Sequence, residues 1–222
     1  MDIDFYSASA WVLPVLIAVT LHEAAHGWVA HKLGDNTAFL QGRVTFNPIK
    51  HVDPFGTIVL PLMLLLGSGG SMMFGYAKPV PVNFRNLRKP RRDMVLVALA
   101  GPMTNFLIAA IAARIFFHTF ASSDITWLHL NLFYMAVLNV MLGVLNMLPL
   151  PPLDGGRVAV GLLPRAMALP LARLERFGFL IVLGLFFVVP LVSRQFGLGL
   201  DPFRWLVLVP TRYIMGLFGI GV

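Results

Sequence analysis

His22-Glu23-Ala24-Ala25-His26 sets two imidazoles four residues apart. On a helix that spacing projects both rings from one face, where they can chelate a metal ion. Zinc suits such donors: it takes histidine nitrogen and carboxylate oxygen in a tetrahedron, and a catalytic site keeps one position for water, whose pKa falls to about 7 on the metal. Glu23, beside the first ligand, can take that proton. The pattern is short, and by itself it also fits polar groups of an interfacial helix satisfied by their neighbours. Its setting favours a site: a glutamate and two histidines inside an apolar run each cost on the order of a few kcal/mol, and ionisable residues in such runs line functional cavities.

Two histidines do not complete a site, and the chain has no cysteine, so the third ligand must be His, Asp or Glu. Val29 and Lys32 stand where an H-E-x-x-H-x-x-G-x-x-H pattern needs Gly and His, and the one other glutamate, Glu175, lies in a basic segment. Asp154 is the candidate. It follows Pro149, Pro151 and Pro152 and precedes Gly155-Gly156. Alone, Pro-Pro-Leu-Asp-Gly-Gly reads as a turn or helix cap; beside the His pair, a ligand role is the stronger reading.

The elements that must position these residues lie in lipid. The 222 residues are 58% hydrophobic and 12% charged, with a mean hydropathy of +0.80, outside the range of soluble domains. At roughly 20 apolar residues per crossing, we expect an all-α polytopic protein of about five or six membrane segments, one domain over 1–222. Apolar stretches run from about Ala10 to Leu33, over 94–117, 129–149 and about 177–192. Phe55 to about Leu66 is short and reads as re-entrant or interfacial, and Phe203–Val222 either spans or lies in the interface. Residues 38–47 alternate around Arg43, Val44, Thr45 and Phe46, which predicts a short strand or hairpin near the cytoplasmic face.

The net charge of +7 reflects topology. Lys78, Arg85, Arg88, Lys89, Arg91 and Arg92 share one loop between apolar segments, which places that loop in the cytoplasm and the acidic N-terminus outside. No aromatic-interleaved basic patch marks a nucleic-acid site. The first residues lack the basic region of a signal peptide, so the first apolar stretch is expected to be a retained membrane helix. The same charge bias puts Asp154, at the end of 129–149, level with His26.

With both motifs in place, the chain resembles the site-2 protease family of intramembrane zinc metalloproteases. Its H-E-x-x-H matches His22–His26, and its N-x-x-P-x-x-x-L-D-G matches Asn146, Pro149, Leu153, Asp154 and Gly155 without departure. Gly101-Pro102-Met103-Thr104-Asn105 and the run from Gly42 to Pro48 are also similar to the family. The resemblance implies one zinc ion per chain held by His22, His26 and Asp154, Glu23 as general base, and Asn146 as a polar helper near the substrate carbonyl. It also implies a single-pass membrane protein as substrate and a multi-pass location in a bacterial or archaeal cell membrane. The chain has no room for the PDZ or CBS module some relatives carry, so a minimal core is expected.

Some residues remain open. Asn105 either faces the site or packs against another helix. His31 is about 140° around the helix from His26 and should face away. His51 is undecided, while His118 and His129 bracket an outer loop and are expected in solvent. The competing function is a membrane metal-binding or transport protein using the same ligands, a reading that gives Glu23 no part.

Overall fold

A computed structural model describes residues 5–67, 77–119 and 126–221. Three long helices build the centre: α1 (Phe5–Lys32), α4 (Pro90–Thr119) and α5 (Trp127–Asn146). Between α1 and α4 lie the short helices α2 (Thr37–Leu40) and α3 (Leu60–Gly67). After α5 come α6 (Asp154–Leu162), α7 (Arg165–Arg173), α8 (Gly178–Leu183), α9 (Val189–Gln195) and α10 (Val209–Leu217). Among the described residues four stretches are long and apolar enough to cross a membrane: Ser9–Lys32, Pro90–Thr119, Trp127–Asn146 and Arg165–Gln195. The last is one near-continuous helical run through α7, α8 and α9. This is a membrane protein, all-helical among the described residues.

Small residues explain why the central helices pack closely. In α1 the buried positions Ala10, Pro14, Ala18, His22, His26 and Ala30 recur every four residues; in α4, Val97, Gly101, Asn105, Ala109 and Ala113 do the same. A four-residue repeat forms a ridge along a helix, and a ridge of Ala and Gly lets the facing backbone approach. α5 adds Ala136, Val140 and Val144, and the three helices contact one another pairwise. Polar side chains with a specific reach sit within these ridges.

Among the described residues four helices have the length and composition of a crossing, against the five or six segments expected. Pro54–Gly67 is a π-helical turn leading into α3, about 21 Å long at 1.5 Å per residue, too short for a core of about 30 Å. The rest of that segment, from residue 68, lies outside the described residues. The C-terminal stretch packs Val207, Met215 and Ile220 into the core with Ala109, Ala136 and Val140.

The strand expected over 38–47 is not formed. Residues Thr37–Leu40 are helical, Gly42 turns the chain at φ +62°, and Asn47 accepts a hydrogen bond from the Ile49 amide to open a 3₁₀ turn over Pro48–His51. Short polar side chains offer the backbone local partners that compete with a ladder. The alternation is inverted as well: charged Arg43 is buried and Phe46 is 77% exposed.

Asp35 ties the end of α1 to the segment before α4. Its Oδ1 accepts from the Thr37 amide and Asn86 Nδ2, and its Oδ2 accepts from the Asn83 amide at 2.7 Å. Burial opposes its ionisation, yet the hydrogen bonds from Thr37, Asn83 and Asn86 hold the carboxyl below its ordinary range. Asp35→Ala should lower stability by about 1–3 kcal/mol, read as an earlier thermal unfolding midpoint in detergent. Because the folded carboxyl titrates below the unfolded one, this difference is present above about pH 4 and shrinks as pH falls further; a difference that instead grew on acidification would contradict the assignment.

Candidate metal centre

His22 and His26 occupy consecutive positions of the α1 ridge, and Asp154 is the first residue of α6. The tertiary fold brings the three together: Nε2 of His22 and Nε2 of His26 are 3.0 Å apart, and Oδ2 of Asp154 lies 3.2 Å from the first and 3.3 Å from the second. All three residues are buried. A tetrahedral zinc with donors at ~2.0–2.1 Å holds those donors ~3.3 Å apart, so the triangle has the size the ion requires.

The proton inventory points the same way. His22 Nδ1 donates to Asn105 Oδ1 at 2.6 Å, and His26 Nδ1 donates to the Val97 carbonyl at 2.7 Å. Neither acceptor has a proton to give: Val97 offers a carbonyl, and Asn105 directs its own Nδ2 to the Ala18 carbonyl and to Asn139 Oδ1. As neutral imidazoles, both rings therefore carry their protons on Nδ1 and aim lone pairs from Nε2. Asp154 Oδ2 is buried and receives no hydrogen bond among the described residues. Three buried acceptors facing one another with no proton between them repel, and a cation removes the repulsion.

Each donor is held from behind. Asn139, on α5, donates to the Met135 carbonyl and accepts from Asn105, which accepts from His22, so three helices fix one ring through two amides. This outer layer sets the tautomer and orientation of a ligand. Asp154 is fixed by the chain around it. A Cβ on Gly155 would lie 2.3 Å from the Met147 carbonyl oxygen, and one on Gly156 would lie 2.5 Å from the Pro151 nitrogen, so only glycine lets the loop from α5 fold onto the start of α6. The positive end of that helix also favours a carboxylate.

Gly101 supplies the space. A Cβ there would sit 2.4 Å from His26 Nε2 and 2.6 Å from His22 Nε2, in space that an ion held by both nitrogens would need. Glycine at this position leaves that space open.

The remaining candidates are placed as follows. Glu23, one residue from His22, is half-buried and accepts from the Val80 amide through Oε2 at 2.7 Å. Asn146 is the last residue of α5, and its Nδ2 donates to the Leu142 carbonyl of its own helix; among the described residues no hydrogen bond joins it to the His22, His26 and Asp154 group. Asn105, left open by the sequence, is fully buried against His22. His31 pairs with Asn36 and stacks on Phe39, and His51 is buried with its Nε2 donating to the Thr45 carbonyl. His129, expected in solvent, is buried: it closes a capping box with Thr126 and donates to the Thr119 carbonyl. Asn139 was not singled out from sequence, although an amide within an apolar span is itself a signal.

Two substitutions test the centre. Gly101→Ala should abolish zinc binding by the folded protein, and Asn139→Leu should weaken it by about 10- to 100-fold, both measured by competition with a chelator in detergent.

Residues 10–126 and 115–189 match Peptidase family M50. YwhC of Bacillus subtilis, classed by name among zinc metalloproteases, is 42% identical over 188 residues, covering 82% of this chain and 81% of its own. Rip2 of Mycolicibacterium smegmatis and Rip2 of Mycobacterium tuberculosis, classed in the same way, are each 31% identical over 185 residues, which is 82% of this chain and 67% and 68% of theirs. No solved structure matches the chain. The metal that fits the three donors is thus zinc, and the chain belongs to peptidase family M50, as a membrane zinc metalloprotease.

Proposed function

We propose that this zinc metalloprotease cleaves single-pass membrane proteins near the cytoplasmic face, with His22, His26 and Asp154 holding one zinc ion and Glu23 acting as general base. The observation that carries the reading is the convergence of three buried acceptor atoms: the N–H protons of the two neutral imidazoles are committed elsewhere, and the carboxylate oxygen receives no hydrogen bond among the described residues.

Zinc, when bound, supplies Lewis acidity toward the scissile carbonyl and toward water. The chain's own residues do the rest. Glu23 accepts a proton from the attacking water and returns it to the leaving amine. Asn105 and Asn139 keep the His22 ring in the tautomer that leaves Nε2 unprotonated. Asn146, at the mouth of α5, is the polar helper for the substrate carbonyl; its Oδ1 and remaining proton are available for that once Nδ2 is anchored on Leu142.

Depth supports a site reached from the cytoplasm. His22 and His26 precede Lys32, the last residue of α1, by ten and six residues, which is about 15 and 9 Å along the axis. Water therefore has a short path from the end bearing Lys32, Lys50 and the basic segment 78–92. The positive-inside rule makes that end cytoplasmic and fits a multi-pass protein of the cell membrane with its N-terminus outside. It also keeps Pro54–Gly67 as a re-entrant segment, since a crossing there would carry the basic residues to the opposite side.

The test is zinc content and cleavage of a model transmembrane substrate in detergent. Wild type and Glu23→Gln should each hold about one zinc, with cleavage only by wild type, and Asp154→Ala should lose the metal. A Glu23→Gln protein that cleaves at the wild-type rate would remove Glu23 from the mechanism. Metal release without cleavage by wild type would favour an ion-handling protein.

A further inference from the structure

Glu23 is held by an unusual partner. Its Oε2 accepts from the backbone amide of Val80, which lies in an irregular extended segment, residues 77–83, crossing the face of α1 that bears Glu23 and Gly27. The two residues are one helical turn apart, so they share that face. Gly27 admits the segment: a Cβ there would be 3.0 Å from Val80 Cγ1 and 2.9 Å from Val44 Cγ2. The segment reads Pro79-Val80-Pro81. Proline has no amide proton, so Val80 supplies the one N–H of that tripeptide, and Glu23 takes it.

Arg43 fixes this segment in place. Its guanidinium is buried, and its Nη2 donates to two successive carbonyls, Lys78 at 2.8 Å and Pro79 at 3.3 Å. The Pro79 carbonyl and the Val80 amide belong to the same peptide unit, and that unit is planar. Holding the oxygen of the unit therefore sets the direction of the N–H that meets Glu23. The salt bridges among the described residues do not involve Arg43, so a buried positive charge is committed to backbone carbonyls, where a charge-assisted bond is strong. The Lys78 amide donates to the His51 carbonyl and the Asn83 amide to Asp35, which anchor the segment on either side.

We propose that Arg43 is a positioning residue for the protease reaction: through the Pro79–Val80 peptide it orients the carboxylate of Glu23. The proposal deepens the reading of Glu23 as general base and rests on it. Arg43 touches neither substrate nor metal ligand in this role, and its loss should change turnover rather than zinc or substrate binding.

Hydrogen exchange read by mass spectrometry on the full chain in detergent tests the contact independently of activity. Because Pro79 and Pro81 carry no amide proton, the difference between fragments that include and omit Val80 reports one amide. In wild type and Glu23→Gln the Val80 amide should be protected, since glutamine retains an acceptor oxygen; in Glu23→Ala and Arg43→Ala it should exchange at least about tenfold faster. Arg43→Ala should also lower kcat by about 10-fold or more, with zinc content unchanged and KM within about twofold. Arg43→Lys, or guanidinium added to Arg43→Ala, should recover part of both losses, and Lys50→Ala, removing an exposed charge from the same surface, should alter neither.

An unprotected Val80 in wild type, or protection that survives in Arg43→Ala, would overturn the proposal. So would a fall in activity accompanied by equal loss of zinc, which would make Arg43 a structural residue alone; if Arg43→Ala does not fold, Arg43→Lys carries the same comparison. If wild type cleaves nothing, the exchange data still decide whether the contact and its dependence on Arg43 exist, while the failure falls on the protease reading.

Discussion

With both imidazoles neutral, three unshared electron pairs meet at one point inside a membrane protein, a constraint that a metal cation satisfies. Nε2 of His22, Nε2 of His26 and Oδ2 of Asp154 lie within 3.3 Å of each other, and the single N–H proton of each neutral ring is drawn away to Asn105 or Val97. The arrangement is costly without the ion and favourable with it, so ligand geometry, tautomer and burial are parts of one design.

The helix packing is shaped by that centre. Imidazoles on α1 reach partners on α4 only because the ridges around them are Ala, Gly and Pro, and the Asn105 to Asn139 bond closes only because α4 and α5 are held equally near. In lipid no hydrophobic force favours helix association, so close backbone contact and buried amide hydrogen bonds carry it. The polar side chains that orient the ligand thus also join the three helices.

Outside the bundle, different forces decide the structure. Asp35, Arg43 and Asn47 bind backbone groups one at a time, and the chain between α1 and α4 takes its course from those bonds rather than from strand pairing. The alternating pattern around Val44 suggested a ladder because period-two sequences suit strands. Local capping by Asp and Asn, a glycine at positive φ and a buried arginine satisfied the backbone first.

The sequence by itself named the candidate donors and the medium. The His22, Glu23 and His26 spacing, Asp154 between its prolines and glycines, and the apolar spans single out these side chains and place them in apolar helices, because side-chain chemistry and hydropathy are local properties. It could not determine which amide stands behind a ligand. Asn105, Asn139 and Asn146 are equivalent as residue types in apolar helices; what separates them is rotation about the helix axis and the distance between α1, α4 and α5, which put the first two behind His22 and leave the third bonded to its own helix. The same holds for Val80 beside Glu23 and Arg43 behind Val80: contacts between backbone and side chain across 57 and 35 residues leave no mark in composition or period, and only the folded chain decides them.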